Sequence, residues 1–375
     1  MRRLLHPLST HAHLTLAALL ISGCGVAATA QNHQWPQSDA TAAGWDAAQL
    51  KTLTEKIAAD EFRQITSVLV AHDGNIVFEH YASGADADTL HDVRSASKTI
   101  TALLIGAALD RKLIDDVQAR PFDFFKSRAP FKNPDPRKLE ITLEDLLTMS
   151  SILDCNDDNP YSLGNEERMY VREDWIDFVL SVPIRGYAPW DLKPSDSPYG
   201  RSFSYCTAGS FLLGAVVEQV SGMTLGEFAD QALFDAMQID NKKWPISPLG
   251  VYQGGGGLRL ASRDWLKLGE MIRNRGVWNG QQLLSAAWIE QATKDHVGVR
   301  DGVTYGYQMW RYAFGESDTA NAHVAMAGNG GNYVFVHPTS KLVTVVTATA
   351  YNTNFMHDQA QKIYTDYVLK AHPDR

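Results

Sequence analysis

Strand signals stand at both ends of this chain and are nearly missing from its middle, and no other feature restricts the fold as much. Residues 67–71 and 75–80 are β-rich runs separated by His72-Asp73-Gly74, and Asp-Gly between such runs is a strong hairpin signal. Strand signals return at Gly254-Gly255-Gly256-Gly257-Leu258-Arg259-Leu260, and again over 331–337 and 342–348, the last two joined by a turn at Pro338-Thr339. From 111 to about 247 the pattern is helical and loop-rich, and Pro121, Pro130, Pro134, Pro136, Pro183, Pro189, Pro194 and Pro198 punctuate it. Its clearest helices are expected over 141–149, 172–180 and 210–220. A short helix from Gly44 onward (Trp45, Leu50, Leu53, Ile57) and a C-terminal helix over about 357–369 complete the pattern. The expected fold class is therefore α/β (α+β): an antiparallel sheet flanked by helices, with an inserted helical lobe. The α/β lobe would take 44–110 and 250–371, and the helical lobe 111–249.

The first thirty residues read as a targeting segment. Arg2 and Arg3 form a positive n-region, and the apolar run over 14–21 is too short to span a bilayer. The run ends in Ile21-Ser22-Gly23-Cys24, which resembles the lipobox of bacterial lipoproteins; residues 1–23 would be the signal, Cys24 the lipidated residue, and 24–43 a linker. Simple secretory cleavage after Ala28-Thr29-Ala30 is the competing reading. Both export the protein, to the periplasm or, if lipidated, the outer membrane. Cleavage before Cys24 removes two positive charges and no negative ones, taking the net charge from -9 to -11. Such a chain lacks the basic face that nucleic acid requires. The remaining cysteines, Cys155 and Cys206, would then sit where disulfides form. A bridge and two buried free thiols both remain open from the sequence.

Chemistry enters at Ser95-Ala96-Ser97-Lys98, which follows the hairpin and opens an apolar helix marked by Ile100, Leu103, Leu104, Ala107 and Ala108. A serine is a poor nucleophile until a base takes its proton, and three positions on a helix put Ser95 and Lys98 on one face. A lysine acts as a base only when neutral, which apolar surroundings promote. The helix N-terminus adds a free N–H for the oxyanion that forms when a carbonyl is attacked. An N-cap serine beside a solvated lysine would be the bland account of these residues. The apolar first turns argue instead that Lys98 points inward.

This tetrad, in this position, resembles the one shared by serine β-lactamases and penicillin-binding proteins. The resemblance covers almost the whole chain after the signal, with the motifs in the family's order. In Phe203-Ser204-Tyr205-Cys206-Thr207 the tyrosine matches the Y-x-N motif of the class C-like branch, with Thr207 where Asn is usual. The resemblance implies that Tyr205 relays protons with Lys98, and that Thr207 helps to hold the substrate. Gly328-Asn329-Gly330-Gly331-Asn332 is the best match to the K-T-G or H-x-G strand, without its cation. It implies that Asn329, Gly330 and Gly331 bind substrate, with backbone N–H groups completing the oxyanion hole. The stretch from Ile141 to Ser151, followed by Ile152 where the family has Gly, together with Asp154-Cys155 and Tyr205-Cys206, most resembles the branch containing 6-aminohexanoate-dimer hydrolase and related esterases.

The resemblance implies hydrolysis of small carboxylic esters or linear amides through a Ser95 acyl-enzyme, with no cofactor and no metal. Action on peptidoglycan or penicillins, and a non-catalytic cell-wall binding role, are the alternatives. Tyr161, Tyr170, Trp175, Trp190 and Tyr199 are candidates to line the pocket, although each alone is better explained as core. A Cys155 to Cys206 bridge would tether the catalytic tyrosine. No G-x-S-x-G elbow, H-E-x-x-H, paired C-x-x-C, P-loop or G-x-G-x-x-G after a strand is present. His91 and Asp92 are adjacent, which is poor geometry for a triad.

Overall fold

The computed structural model describes residues 35–186, 202–315 and 321–373. The signal segment, Cys24, Trp190 and Tyr199 lie outside the described residues. Helix α1 (Ala47–Ala58) opens the fold, capped by the Asp46 carboxylate on the N–H groups of Ala48 and Gln49. The hairpin follows: β1 (Ile65–His72) and β2 (Asn75–Tyr81) turn at Asp73 and Gly74, with φ of 48° and 80°. Two positive φ values are what a tight two-residue hairpin turn demands.

Strand β3 (Leu90–Asp92) leads into the 3-10 turn Arg94–Ser97 and then α2 (Lys98–Asp110). The helical region contains α3 (Leu143–Leu147), α4 (Glu166–Tyr170), α5 (Trp175–Ser181), α6 (Thr207–Ser221), α7 (Leu225–Ala229) and α8 (Asp235–Met237). Helices α2 and α6 pack on each other and are buried on nearly every side, which explains why both read as apolar all round.

The chain returns through β4 (Arg259–Ala261), α9 (Ser262–Arg273), the small ribbon of β5 (Val277–Trp278) and β6 (Gln281–Gln282), and α10 (Ala286–Ala292). Six strands follow: β7 (Val297–Arg300), β8 (Val303–Tyr305), β9 (Trp310–Tyr312), β10 (His323–Gly328), β11 (Asn332–His337) and β12 (Leu342–Ala348). Helices α11 (Met356–Lys362) and α12 (Leu369–Ala371), joined through a π-helical stretch, close the chain.

Eight strands form one antiparallel sheet in the order β2-β1-β12-β11-β10-β9-β8-β7. Strand β1 sits between β2 and β12, with Leu69 opposite Val345 on one side and Glu79 on the other. Alternation decides which face each residue serves. Leu69, Ala71, Val334, Val336, Val343 and Val345 face the core shared with α2 and α9. Val68, Val70, Phe335 and Val346 face the core under α1 and the C-terminal helix, with Ile363 and Tyr364.

The expected sheet from both chain ends is present, but two readings are corrected. The run of glycines at 254–257 is a loop, and only Arg259–Ala261 is strand there. Strands β7 to β10 carry no alternation long enough to be recognised, since three of them are three or four residues long.

Candidate active site

Ser95 belongs to the tight turn Arg94–Ser97, entered through Arg94 at φ 51°, a left-handed conformation uncommon for a non-glycine residue. Two links fix the turn: the Ser97 hydroxyl donates to the Arg94 carbonyl, and Gly257 N–H donates to the same oxygen at 3.2 Å. Ser95 is the second residue of its turn, so its N–H has no partner within that turn.

Lys98 opens α2 with 1% of its surface exposed. Its Nζ lies 2.9 Å from Ser95 Oγ and 2.8 Å from Thr207 Oγ1, and it donates to the Gly255 carbonyl. Burial holds its pKa below the usual lysine range, opposed by the negative charges of Glu166 and Asp157. The three partners suit either protonation state. An ammonium donates to all of them, and a neutral amine donates to Gly255 and Thr207 while accepting from the Ser95 hydroxyl.

Tyr205 precedes α6 and lines the cleft together with Ser95. Burial pushes its phenol above the ordinary tyrosine range, against a smaller lowering influence of Ser95, so it remains a proton donor. Its ring stacks on Trp310 at 5.7 Å, and Lys98 Nζ lies 5.0 Å from the ring centre. Cys206, the next residue, is disulfide-bonded to Cys155, so the bridge stands beside the tyrosine.

The structure corrects several assignments. Thr207 is buried at 1% exposure and turns its hydroxyl to Lys98, so it serves the lysine and not the cleft. Gly330 and Gly331 take φ of 95° and 85° in the turn between β10 and β11 and pack toward Tyr351 and Met356. Of the three residues expected there, Asn329 does line the cleft, beside Gly328. The Asn329 amide donates to Asn352 Oδ1 at 2.6 Å, and its Oδ1 accepts the Asn352 N–H at 2.8 Å. Gly328 is required by contact: a Cβ there would lie 1.9 Å from the Val93 carbonyl, so only glycine lets β10 reach the Ser95 turn.

The cleft, of about 570 Å³, is also lined by Phe203, Trp310, Tyr312 and Tyr333. The aromatics singled out from sequence are elsewhere: Trp175 is buried against Tyr170 and Phe211, and Tyr161 is 84% exposed. Three residues of the site had escaped notice. Gly255 supplies a carbonyl to Lys98, and its run of glycines was the available signal of close backbone approach. Trp310 opens β9, a strand of three residues that is too short to be recognised. Asp157 lies in a loop with no motif, and its carboxyl is pushed up to about 6, by burial first and Glu166 second.

Comparison with known proteins bears on the same residues. The profile of a family described as Beta-lactamase matches residues 52–367. The chain belongs to the beta-lactamase family of serine hydrolases. This family member is 24% identical over 237 residues to the 6-aminohexanoate-dimer hydrolase of Paenarthrobacter ureafaciens, a match covering 63% of this chain and 58% of that protein. Less than two thirds of the curated relative is thus spanned. Among solved structures it resembles the penicillin binding protein of Bacillus halodurans, with a TM-score of 0.61, 20% identity and coverage of 82% and 98% of the two chains. It also resembles EstCE1, a hydrolase with promiscuous acyltransferase activity, with a TM-score of 0.65, 16% identity and coverage of 85% and 98%. Both confirm the beta-lactamase-like fold.

Proposed function

We propose that the protein hydrolyses small carboxylic esters or linear amides through an acyl-enzyme on Ser95. The observation that carries this reading is a buried Lys98 amine 2.9 Å from Ser95 Oγ, at a cleft that Ser95 and Tyr205 line together. Ser95 Oγ attacks the carbonyl carbon and its proton passes to neutral Lys98. The tetrahedral oxyanion takes N–H donors from the start of the Ser95 turn and from the β10 side. As the bond to the leaving group breaks, Tyr205 protonates the departing oxygen or nitrogen and is reprotonated by Lys98. Water then attacks the acyl carbon by the same route in reverse. The Paenarthrobacter relative, a 6-aminohexanoate-dimer hydrolase, and EstCE1, a hydrolase with promiscuous acyltransferase activity, support hydrolysis through an acyl-enzyme. The absence of a lysine or histidine from the stretch Gly328-Asn329-Gly330-Gly331-Asn332, where penicillin-recognising relatives carry a cation, weighs against β-lactams.

The experiment is a fluorophosphonate probe followed by peptide mass spectrometry, with a panel of esters, linear amides and penicillins for turnover. Modification of Ser95 and turnover of p-nitrophenyl butyrate are expected. Labelling at another residue, or none on folded protein, overturns the assignment; saturable acylation by penicillin with no ester turnover would move the substrate class to peptidoglycan. We also propose that the protein is exported and lipidated at Cys24, supported by the Arg2-Arg3 n-region and the lipobox-like Ile21-Ser22-Gly23-Cys24. An intact mass without the diacylglyceryl group on the mature N-terminus would leave simple secretion.

A further inference from the structure

The loop after the helical lobe's first disulfide cysteine holds a carboxylate that none of the family motifs contains. Asp157 N–H donates to the Tyr205 carbonyl at 2.9 Å, and Thr207 N–H donates to Asp157 Oδ2 at 2.6 Å. The other carboxylate oxygen accepts the Glu166 N–H at 3.0 Å. Asp157 therefore grips the backbone on both sides of Cys206, while Cys206 itself is bridged to Cys155 two residues upstream. The gripped residues stand beside Ser95 and Lys98: Tyr205 lines the cleft with Ser95, and the Thr207 hydroxyl accepts from Lys98.

We propose that Asp157 is a positioning residue that holds Tyr205 and Thr207 in register with Ser95 and Lys98. The role rests on the reading of Ser95 as nucleophile. Glu166, Asp158 and Lys98 are the charged groups around this segment: Glu166 and Lys98 act on Asp157, and Asp157, Asp158 and Glu166 act on Tyr205. Asp157 and Glu166 both favour the charged form of Lys98.

The test compares Asp157→Ala, Asp157→Asn and Ser95→Ala in the oxidised full chain, using p-nitrophenyl butyrate across pH. Misplacing a reacting group by about 1 Å costs about 100-fold, so Asp157→Ala should lower kcat by roughly 10- to 100-fold while KM changes by less than about threefold. Asp157→Asn keeps an acceptor for Thr207 N–H, so kcat should return to within about fivefold. Removing a negative charge near Lys98 should also move the acidic limb of the rate profile to lower pH. Parental kcat and an unmoved limb, with Ser95→Ala inactive, overturn this inference alone. Turnover surviving in Ser95→Ala overturns the nucleophile reading beneath it. If Asp157→Ala fails to fold, the limb in Asp157→Asn decides, and an unmoved limb refutes the proposal.

Discussion

Lys98 and its three contacts set what single substitutions should do. Lys98→Ala removes the base and should lower kcat/KM by on the order of 10²- to 10⁴-fold, the usual worth of a positioned proton acceptor, with the fold retained by circular dichroism. Burial depresses the Lys98 pKa, and the amine must be neutral to act. Activity should therefore rise with pH through a limb below the ordinary lysine range, and a limb near the free lysine value would contradict the assignment. Thr207→Val deletes one acceptor of Lys98 inside a buried site, at a cost of about 1–3 kcal/mol for the group left unpaired, whereas Thr207→Ser should retain turnover. Ser95 and Lys98 were legible in the sequence because their relation is local, three positions apart at the start of one helix. The partnership of Lys98 with Thr207 and Gly255 was not, since it joins residues 109 and 157 positions away, and no periodicity records which buried polar groups meet.

Elements show the same division. The hairpin of β1 and β2 and the helices α2 and α6 were readable, because Asp73-Gly74 has a specific turn chemistry and an apolar helix repeats its signal over several turns. Strand β10 was not: Val324-Ala325-Met326-Ala327-Gly328 is small and buried throughout, so it lacks alternation. Without β10, the site's second wall was assigned to Asn329, Gly330 and Gly331, whereas the cleft is lined there by Gly328 and Asn329. Contact at β10 gives a test at this scale. Gly328→Ala drives a methyl into the Val93 carbonyl and toward Ala96 N, which a Cβ would approach to 2.9 Å. The strand must move off the nucleophile's turn, so fluorophosphonate labelling of Ser95 should slow at least about tenfold, with overpacking costing roughly 1–3 kcal/mol. Unchanged labelling and melting would show that β10 does not set the position of Ser95.

Over the whole molecule, the disulfide and the buried ionisable groups make stability depend on redox state and pH. The Cys155–Cys206 bridge spans 51 positions, and closing a loop of that length stabilises by about 4 kcal/mol in the chain-entropy model. Cys155→Ser should lower both Tm and kcat, because Tyr205 adjoins the lost tether; an unchanged kcat would separate the bridge from the site. His323 stacks on His337 with ring centres 4.0 Å apart and meets the Tyr364 hydroxyl, and burial foremost holds its pKa down to about 3. The unfolded chain protonates this histidine near pH 6.5, so between about pH 6.5 and 3 the unfolded state binds more protons and stability falls as the pH drops. Denaturation midpoints at pH 7 and pH 5 should differ less in His323→Gln than in the parent. The pairing of β1 with β12, from Ile65 opposite Ala348 to His72 opposite Leu342, also dictates when the molecule becomes competent during synthesis. A ribosome delivers Ser95 early and the last central strand of the sheet some 250 residues later. Every nascent chain that stops short of β12 therefore carries Ser95 without the completed sheet. On the proposed mechanism such unfinished copies should be chemically silent, and a release of chains stalled before Leu342 should yield no fluorophosphonate-reactive product.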